Sequence, residues 1–194
     1  KKSLRTSGTK DITKRESAFY DNVVFWKTAE LAQKLGLTPE NQTFLDALKA
    51  RILSQFWYEK GGYFLEDLST EGMQEKYYSS DWLIVLATGF LDPKKSDEQA
   101  YFVRSVAYIQ TQKIDQPFAI KYQNETRAHR QFAAVRLAVA SYGGDSIWSF
   151  WGMEYIKVLL ALHKATGKKS YLKQADYHIE KYETAMLKNK GFPE

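Results

Sequence analysis

The chain reads as an all-α protein built from antiparallel helical hairpins, and three observations lead there. Apolar residues recur at three- and four-residue steps through most of its 194 residues. Two of the predicted helices are apolar nearly all round, whereas the helices that follow them keep a charged face. The odd-numbered helices begin near Glu16, Ser80 and Asp145, a repeat of roughly 65 residues. Inner helices arranged in a ring, with outer helices wrapped around them, require such an alternation of enclosed and wet elements.

The first helix is predicted from Glu16 to Leu35, with Tyr20, Val24, Thr28, Leu31 and Leu35 as its stripe and Gly36 as its left-handed stop. A second restarts at Thr38 as N-cap with Pro39 at the first helical position. Phe44, Leu48, Ile52 and Phe56 form its apolar face, and Gly61-Gly62 ends it. These two make an αα-hairpin. Tyr63 to Tyr78 reads as irregular, with a short extended piece at Tyr63-Phe64-Leu65. A third helix starts near Ser80, runs without a charge from Trp82 to Leu91 and ends at Asp92-Pro93. Ser96 and Gln99 make a capping box for a fourth, amphipathic helix through about Gln110. Between Tyr122 and Tyr142 the pattern weakens; Phe132 to Ala140 can be helical, while the Arg and His residues before it favour loop. A fifth helix starts near Asp145, is apolar over most of its circumference and stops at Gly167; a sixth, charged and amphipathic, covers Lys169 to about Lys188.

Composition narrows the function. At 44% hydrophobic and 15% aromatic residues the chain can bury a substantial core. Its net charge of +5 is dispersed, with no basic stripe, so nucleic acid is not an expected partner. No apolar run reaches ~18 residues, so no membrane span is expected. Absence of Cys removes disulfides and thiol catalysis, and the three His residues lack ligand spacing, so neither metal nor cofactor is expected. The opening Lys1-Lys2-Ser3-Leu4 has no signal peptide and no initiating Met; it reads as a mature, trimmed or partial product, with the cytoplasm favoured as its compartment. Thirteen Tyr and five Trp suit a surface that is apolar and hydrogen-bonding at once, as sugar sites are, although large aromatics also simply fill cores.

Several motifs, in order, resemble those of the six-hairpin glycosidases: glycogen-debranching amylo-α-1,6-glucosidases, plant alkaline/neutral invertases and mannosylglycerate-hydrolase-like enzymes. The matching segments are Glu16-x-x-Phe19-Tyr20, Ala29-x-Leu31-Ala32-x-x-Leu35-Gly36 and Phe56-Trp57-x-Glu59-x-Gly61-Gly62-Tyr63. Ser80-Asp81-Trp82-Leu83 through Leu91-Asp92-Pro93, and Gly143-Gly144-Asp145-Ser146-Ile147-Trp148-Ser149-Phe150-Trp151, resemble the next two inner-helix starts. The resemblance covers roughly residues 8 to 190. It implies an (α/α)6 toroid, of which these hairpins make about three of six, so that residues 1–194 form one unit in the C-terminal half of a larger catalytic domain. It also implies an inverting acid/base reaction on glucosidic or related bonds. The Asp acid would lie in the other half and a Glu base near the C-terminus, where Glu194 is the candidate. A carbohydrate is then the expected ligand, and a missing N-terminal half or a second copy the expected partner. A non-catalytic sugar-binding relative and a helical-repeat scaffold are the competing readings.

Among individual residues, Asp81 and Asp145 precede inner helices beside Trp82 and Trp148. A carboxylate there either serves catalysis and sugar binding or only caps a helix. Trp148 and Trp151 share a face: either both pack in the core, or one stacks on a pyranose while the other packs inside. Trp57, Tyr63 and Tyr142 flank Gly-Gly turns at the expected mouth of the site, and Glu16 and Tyr20 match a substrate-holding position of the similar families. Glu66-Asp67 reads as a solvated loop pair, since adjacent carboxylates seldom point at one reacting atom. Arg127, His129 and Arg130 are a possible clamp for an anionic or hydroxylated ligand.

Overall fold

A computed structural model describes residues 16–139 and 141–191. Among these the chain is mostly helical, and its elements in order are α1 (Phe19–Lys34), α2 (Gln42–Phe56), β1 (Trp57–Tyr58), β2 (Tyr63–Phe64) and α3 (Thr70–Glu75). A 3-10 turn, Ser80–Leu83, leads into α4 (Ile84–Thr88); α5 (Ser96–Thr111) follows. A second 3-10 turn, Ala128–Arg130, precedes α6 (Ala133–Ala138), α7 (Ser149–Thr166) and α8 (Lys169–Asn189). α1 packs on α2 and α7 on α8, while α1, the Ser80–Leu83 turn with α4, and α7 touch in series. Burial is divided unevenly: α1 and α2 bury three residues each, and α5 buries Phe102, Val106 and Ile109 where α4 buries Val85. α7 buries Trp151, Tyr155, Ile156, Val158, Leu159 and Leu162, whereas the longer α8 buries only Tyr171, Ala175, His178 and Tyr182. Buried residues from Phe19 to Tyr182 belong to one apolar cluster.

Several boundaries differ from the sequence reading, each for an identifiable reason. α1 starts at Phe19 rather than Glu16 because Ala18 bridges Asp67 and the Glu16 carbonyl accepts Leu68 N–H at 3.0 Å. Its buried face is Phe19, Val23 and Trp26, one position round from the predicted stripe; Leu31 and Leu35 are 44% and 72% exposed. The larger rings decide the rotation. Phe19 stacks on Phe64 at 4.5 Å, and Trp26 meets Phe90 edge-on at 5.2 Å while donating Nε1–H to Leu45 O. α2 is capped by Asn41, whose Oδ1 accepts Phe44 N–H at 2.9 Å, and not by Thr38. Leu45 replaces Phe44 on its inner face.

The third predicted helix is shorter than expected. Gly89 adopts φ +70 and stops it at Thr88. The capping box at Ser96 does not form: Gln99 Nε2 donates to Pro93 O, and Glu98 Oε2 accepts Asp92 N–H instead. The fifth helix begins at Ser149, because Ile147 bridges Lys121 and Trp148 N–H donates to Ile120 O at 3.1 Å. Gly152 lets α8 approach α7: a Cβ there would collide with the Tyr182 hydroxyl and the Ala119 methyl.

Candidate functional site

Backbone hydrogen bonds lace together the entries to α1, α4 and α7. Phe19 N–H donates to Glu66 O at 2.9 Å, and Glu66 N–H to Tyr77 O at 2.7 Å. Ser80 N–H donates to Tyr122 O at 2.7 Å and Tyr122 N–H to Ser146 O at 2.9 Å. Isolated bridges Leu65–Tyr78 and Lys121–Ile147 reinforce the run. The entry to α1, the segment before α4 and the entry to α7 thus form one continuous edge. Gly144 belongs to it, since a Cβ there would strike Thr126.

This edge holds a buried ionic cluster that the sequence reading turned outward. Glu66 and Asp67 are 1% and 0% exposed rather than a solvated loop pair. Their segment is pinned between the α1 entry and Tyr77-Tyr78, and the chain near Arg127–Arg130 covers it. Arg130 donates to Glu66 Oε2 at 3.2 Å and is ion-paired with Asp67; Gln123 Nε2 also donates to Glu66 Oε2, at 2.9 Å. Both guanidinium groups lie over the Tyr77 ring, Arg127 at 3.9 Å and Arg130 at 4.6 Å from its centroid. Burial works against the Arg130 charge, but Glu66 and Asp67 outweigh it and raise its pKa above the ordinary value. Burial, then the bond to Glu71, pushes the Tyr77 hydroxyl up to about 12. Arg127 Nη2 donates to Asn124 Oδ1 at 3.0 Å, while its Nε and Nη1 and both amide atoms of Gln131 are buried without a hydrogen-bond partner. Such atoms are uncommon in folded interiors; Arg127 Nη1 still lies 4.0 Å from Glu66 Oε2, within the same ionic cluster. His129 is exposed and pairs with Glu71, away from this cluster's interior.

Beside the α7 entry lies a groove of about 800 Å³ lined by Tyr142, Ser146, Trp148, Phe150, Met153 and Glu154, among others. Tyr142 and Trp148 stand 4.8 Å apart, and Trp148 Nε1–H donates to Tyr142 O at 2.9 Å, fixing the indole as one wall. Trp151 is buried and meets Tyr20 edge-on at 6.0 Å. Burial, then the neighbouring Asp21 charge, raises the Tyr20 hydroxyl pKa.

The remaining candidates divide between surface and core. Asp145 is exposed and accepts the Thr126 hydroxyl at 2.5 Å. It stands before the helix rather than capping it. Asp81 is 1% exposed, accepts the Ser79 hydroxyl and lies 3.4 Å from the Tyr122 hydroxyl that donates to it. Trp82 is fully interior, with Nε1–H donated to Tyr78 Oη. Tyr63 is buried among Tyr58, Tyr78 and Tyr108 and donates its hydroxyl to Lys76 O, and burial raises its pKa. Trp57 is half-buried beneath Arg104 and donates to Glu59, on the β1–β2 hairpin. Glu16 is exposed at the α1 entry, and Glu194 lies outside the described residues.

The structure therefore gathers Glu16, Tyr20, Asp81, Asp145, Trp148 and Trp151 along the laced edge, and leaves Trp57 with the hairpin. Glu66, Asp67, Gln123, Arg127, Arg130 and Gln131 join them there without having been chosen as site residues. One local signal existed: Glu66-Asp67 is flanked by Phe64-Leu65 and Leu68, an apolar setting for two charges, and Arg127 and Arg130 supply the compensation three residues apart. No three His, Asp or Glu side chains among the described residues group so as to hold a metal ion, and no described helix is long and apolar enough to cross a membrane. The chain matches no protein-family model, no curated protein and no solved structure.

Proposed function

We propose that the chain is an arc of an (α/α)6 toroid carrying one wall of a glycoside-hydrolysing site. The observation that carries this reading is the laced edge: three inner-helix entries side by side, with a fixed indole, an exposed carboxylate and a buried arginine–carboxylate cluster along it. Sugars present ring C–H faces and hydroxyls together. Trp148 offers the matching apolar face, Ser146 and Glu154 line the same groove as polar groups, and the exposed Asp145 stands beside its entry. The remaining wall, and the acid of an inverting pair, come from a further half of the ring or from a second copy. A second support is the location of exposed large apolar side chains. Phe25, Leu31, Leu35, Leu37 and Phe44 lie on the first hairpin or its turn; Leu137, Val139, Phe150, Leu160, Ile179, Met186 and Leu187 lie from α6 onward. Among the described residues none falls between them, as an arc with two open flanks requires.

The burial of Asp81 behind Ser79 and Tyr122 favours a second reading, in which this wall binds sugar without catalysing hydrolysis. Calorimetric titration of the chain with gluco- and manno-oligosaccharides tests the shared part of both. Saturable binding that Trp148→Ala abolishes and Asp145→Asn weakens supports a sugar wall. Absence of binding across the panel, or binding indifferent to Trp148→Ala, overturns it. Release of reducing sugar once the rest of the ring is supplied distinguishes the hydrolase from the binder.

A further inference from the structure

A second cavity lies away from the laced edge, between the last turn of α5, the loop at residues 115–117 and the middle of α8. It measures about 640 Å³, and Gln110, Asp115, Lys173, Gln174, Tyr177 and His178 line it. That volume falls in the range of small-molecule sites. Its walls are tied to one another by specific bonds. Gln110 Nε2 donates to Gln174 Oε1 at 2.6 Å, Tyr177 donates its hydroxyl to Pro117 O at 3.1 Å, and the buried Tyr155 hydroxyl stands 3.4 Å from Asp115 Oδ2.

His178 is the anomaly. It is 2% exposed, its Nδ1 is buried without a hydrogen-bond partner, and its ring sits between those of Tyr155 and Tyr177, at 5.5 and 5.3 Å. Burial lowers its pKa to about 4, so the ring is neutral at ordinary pH and offers one donor and one acceptor. This neutral, incompletely bonded ring lines the cavity, so a guest seated there changes its surroundings.

The chemistry of the lining selects the ligand. The Asp115 carboxylate opposes a phosphate or carboxylate guest, and Lys173 opposes a cation. Amide, imidazole and carboxyl groups alternate donors with acceptors, as a row of hydroxyls does. The Tyr177 ring is 45% exposed and presents an apolar face to C–H groups. We propose that this cavity binds a neutral polyol, of the size of a single hexose, in a site separate from the laced edge. The site stands on the α5–α8 geometry and does not depend on the hydrolase reading.

Proton NMR of the whole chain tests it, with the His178 ring signals assigned by a His178→Phe variant. Glucose and glycerol are titrated in turn, with inorganic phosphate as a third probe. Glucose is expected to shift the His178 and Tyr177 ring signals saturably. Tyr177→Ala, its fold checked by an unchanged urea midpoint, is expected to weaken that titration about tenfold, the loss of one good contact. Asp115→Asn weakens it as well, and Trp148→Ala leaves it unchanged. Signals that stay fixed under both polyols overturn the proposal, as does a shift produced by phosphate alone. Loss of the shift in Trp148→Ala also overturns it, because the two sites would then not be separate. Failure of oligosaccharide binding at the laced edge, by contrast, leaves the His178 titration intact.

Discussion

Arg130 is the residue on which the buried polar edge depends. It faces Glu66 and Asp67 at once, and all three side chains are at most 4% exposed. Removing one partner from such a cluster leaves uncompensated charge in the interior, which costs about 3–5 kcal/mol. Arg130→Ala is therefore expected to lower unfolding stability by about that amount in urea titration. Adding Glu66→Gln and Asp67→Asn to the same chain recovers part of the loss, because the stranded charges are gone; a triple variant no more stable than the single one would falsify the ionic account. His178 gives a residue-scale prediction of a different kind. Its folded pKa of about 4 lies below the ordinary value of 6.5 because burial disfavours the charged form. The unfolded chain then binds the proton first, so stability is full above pH 6.5 and falls as pH drops through the interval down to about 4. The linkage amounts to at most about 3 kcal/mol. Asp115, Lys173, Tyr155 and Tyr177 face the ring, and Asp115 titrates in acid too. The expected signature is accordingly the difference between the parent and His178→Phe, whose stability should decline less between those two pH values in urea titrations.

At the scale of elements, the rotated face of α1 makes opposite predictions for neighbouring residues. Trp26 is buried against Phe90 and bonded to Leu45 O, so Trp26→Ala is expected to cost about 3–5 kcal/mol. Leu35, on the stripe the apolar spacing suggests, is 72% exposed, and Leu35→Ala should change the melting temperature little. The cap of α2 can be read in the same way: Asn41→Ala is expected to cost about 1 kcal/mol and Thr38→Ala close to nothing. Equal effects at the two positions would restore Thr38 as the cap. These cases also mark how far the sequence is legible. The long helices, the Gly167 stop and the extended piece at Tyr63-Phe64 follow from spacing and local conformational preference. The entries do not, because Ala18, Ser80 and Trp148 have backbone groups committed to partners tens of residues away, which no local pattern encodes. The inward turn of Glu66-Asp67 was hidden for the same reason, its compensating Arg130 lying 64 and 63 residues further along. The Trp148–Trp151 difference was equally hidden: spacing places both on one face, and only the Trp148 N–H bond to Ile120 O, which starts α7 after it, leaves Trp148 at the groove while Trp151 is buried.

For the whole molecule, the decisive quantity is where apolar surface remains in contact with water. A closed helical domain hides its large side chains in proportion to depth, and leftover exposure scatters. Here it is polarised along the sequence: α4 and α5 carry none of the exposed large apolar residues found among the described ones, while α1–α2 with their turn and the segments from α6 onward do. Leu35 and Leu37 at 72% and 75% exposed, and Leu137 and Leu187 at 86% and 83%, lie at opposite ends of the sequence. Two such flanks on one body favour association, since covering them removes apolar area from water at a gain of about 25 cal/mol per Å². The chain is therefore expected to sediment as a concentration-dependent oligomer. Replacing Leu35 and Leu37 with Glu on one flank, or Leu137 and Leu187 with Glu on the other, should shift it toward monomer. Charge placed on α5, for example Gln110→Glu, should leave the oligomer unchanged. If both flank variants sediment like the parent, or the parent stays monomeric at high concentration, the open-arc architecture loses its support. The laced edge would then have to be read as a site complete within one short chain.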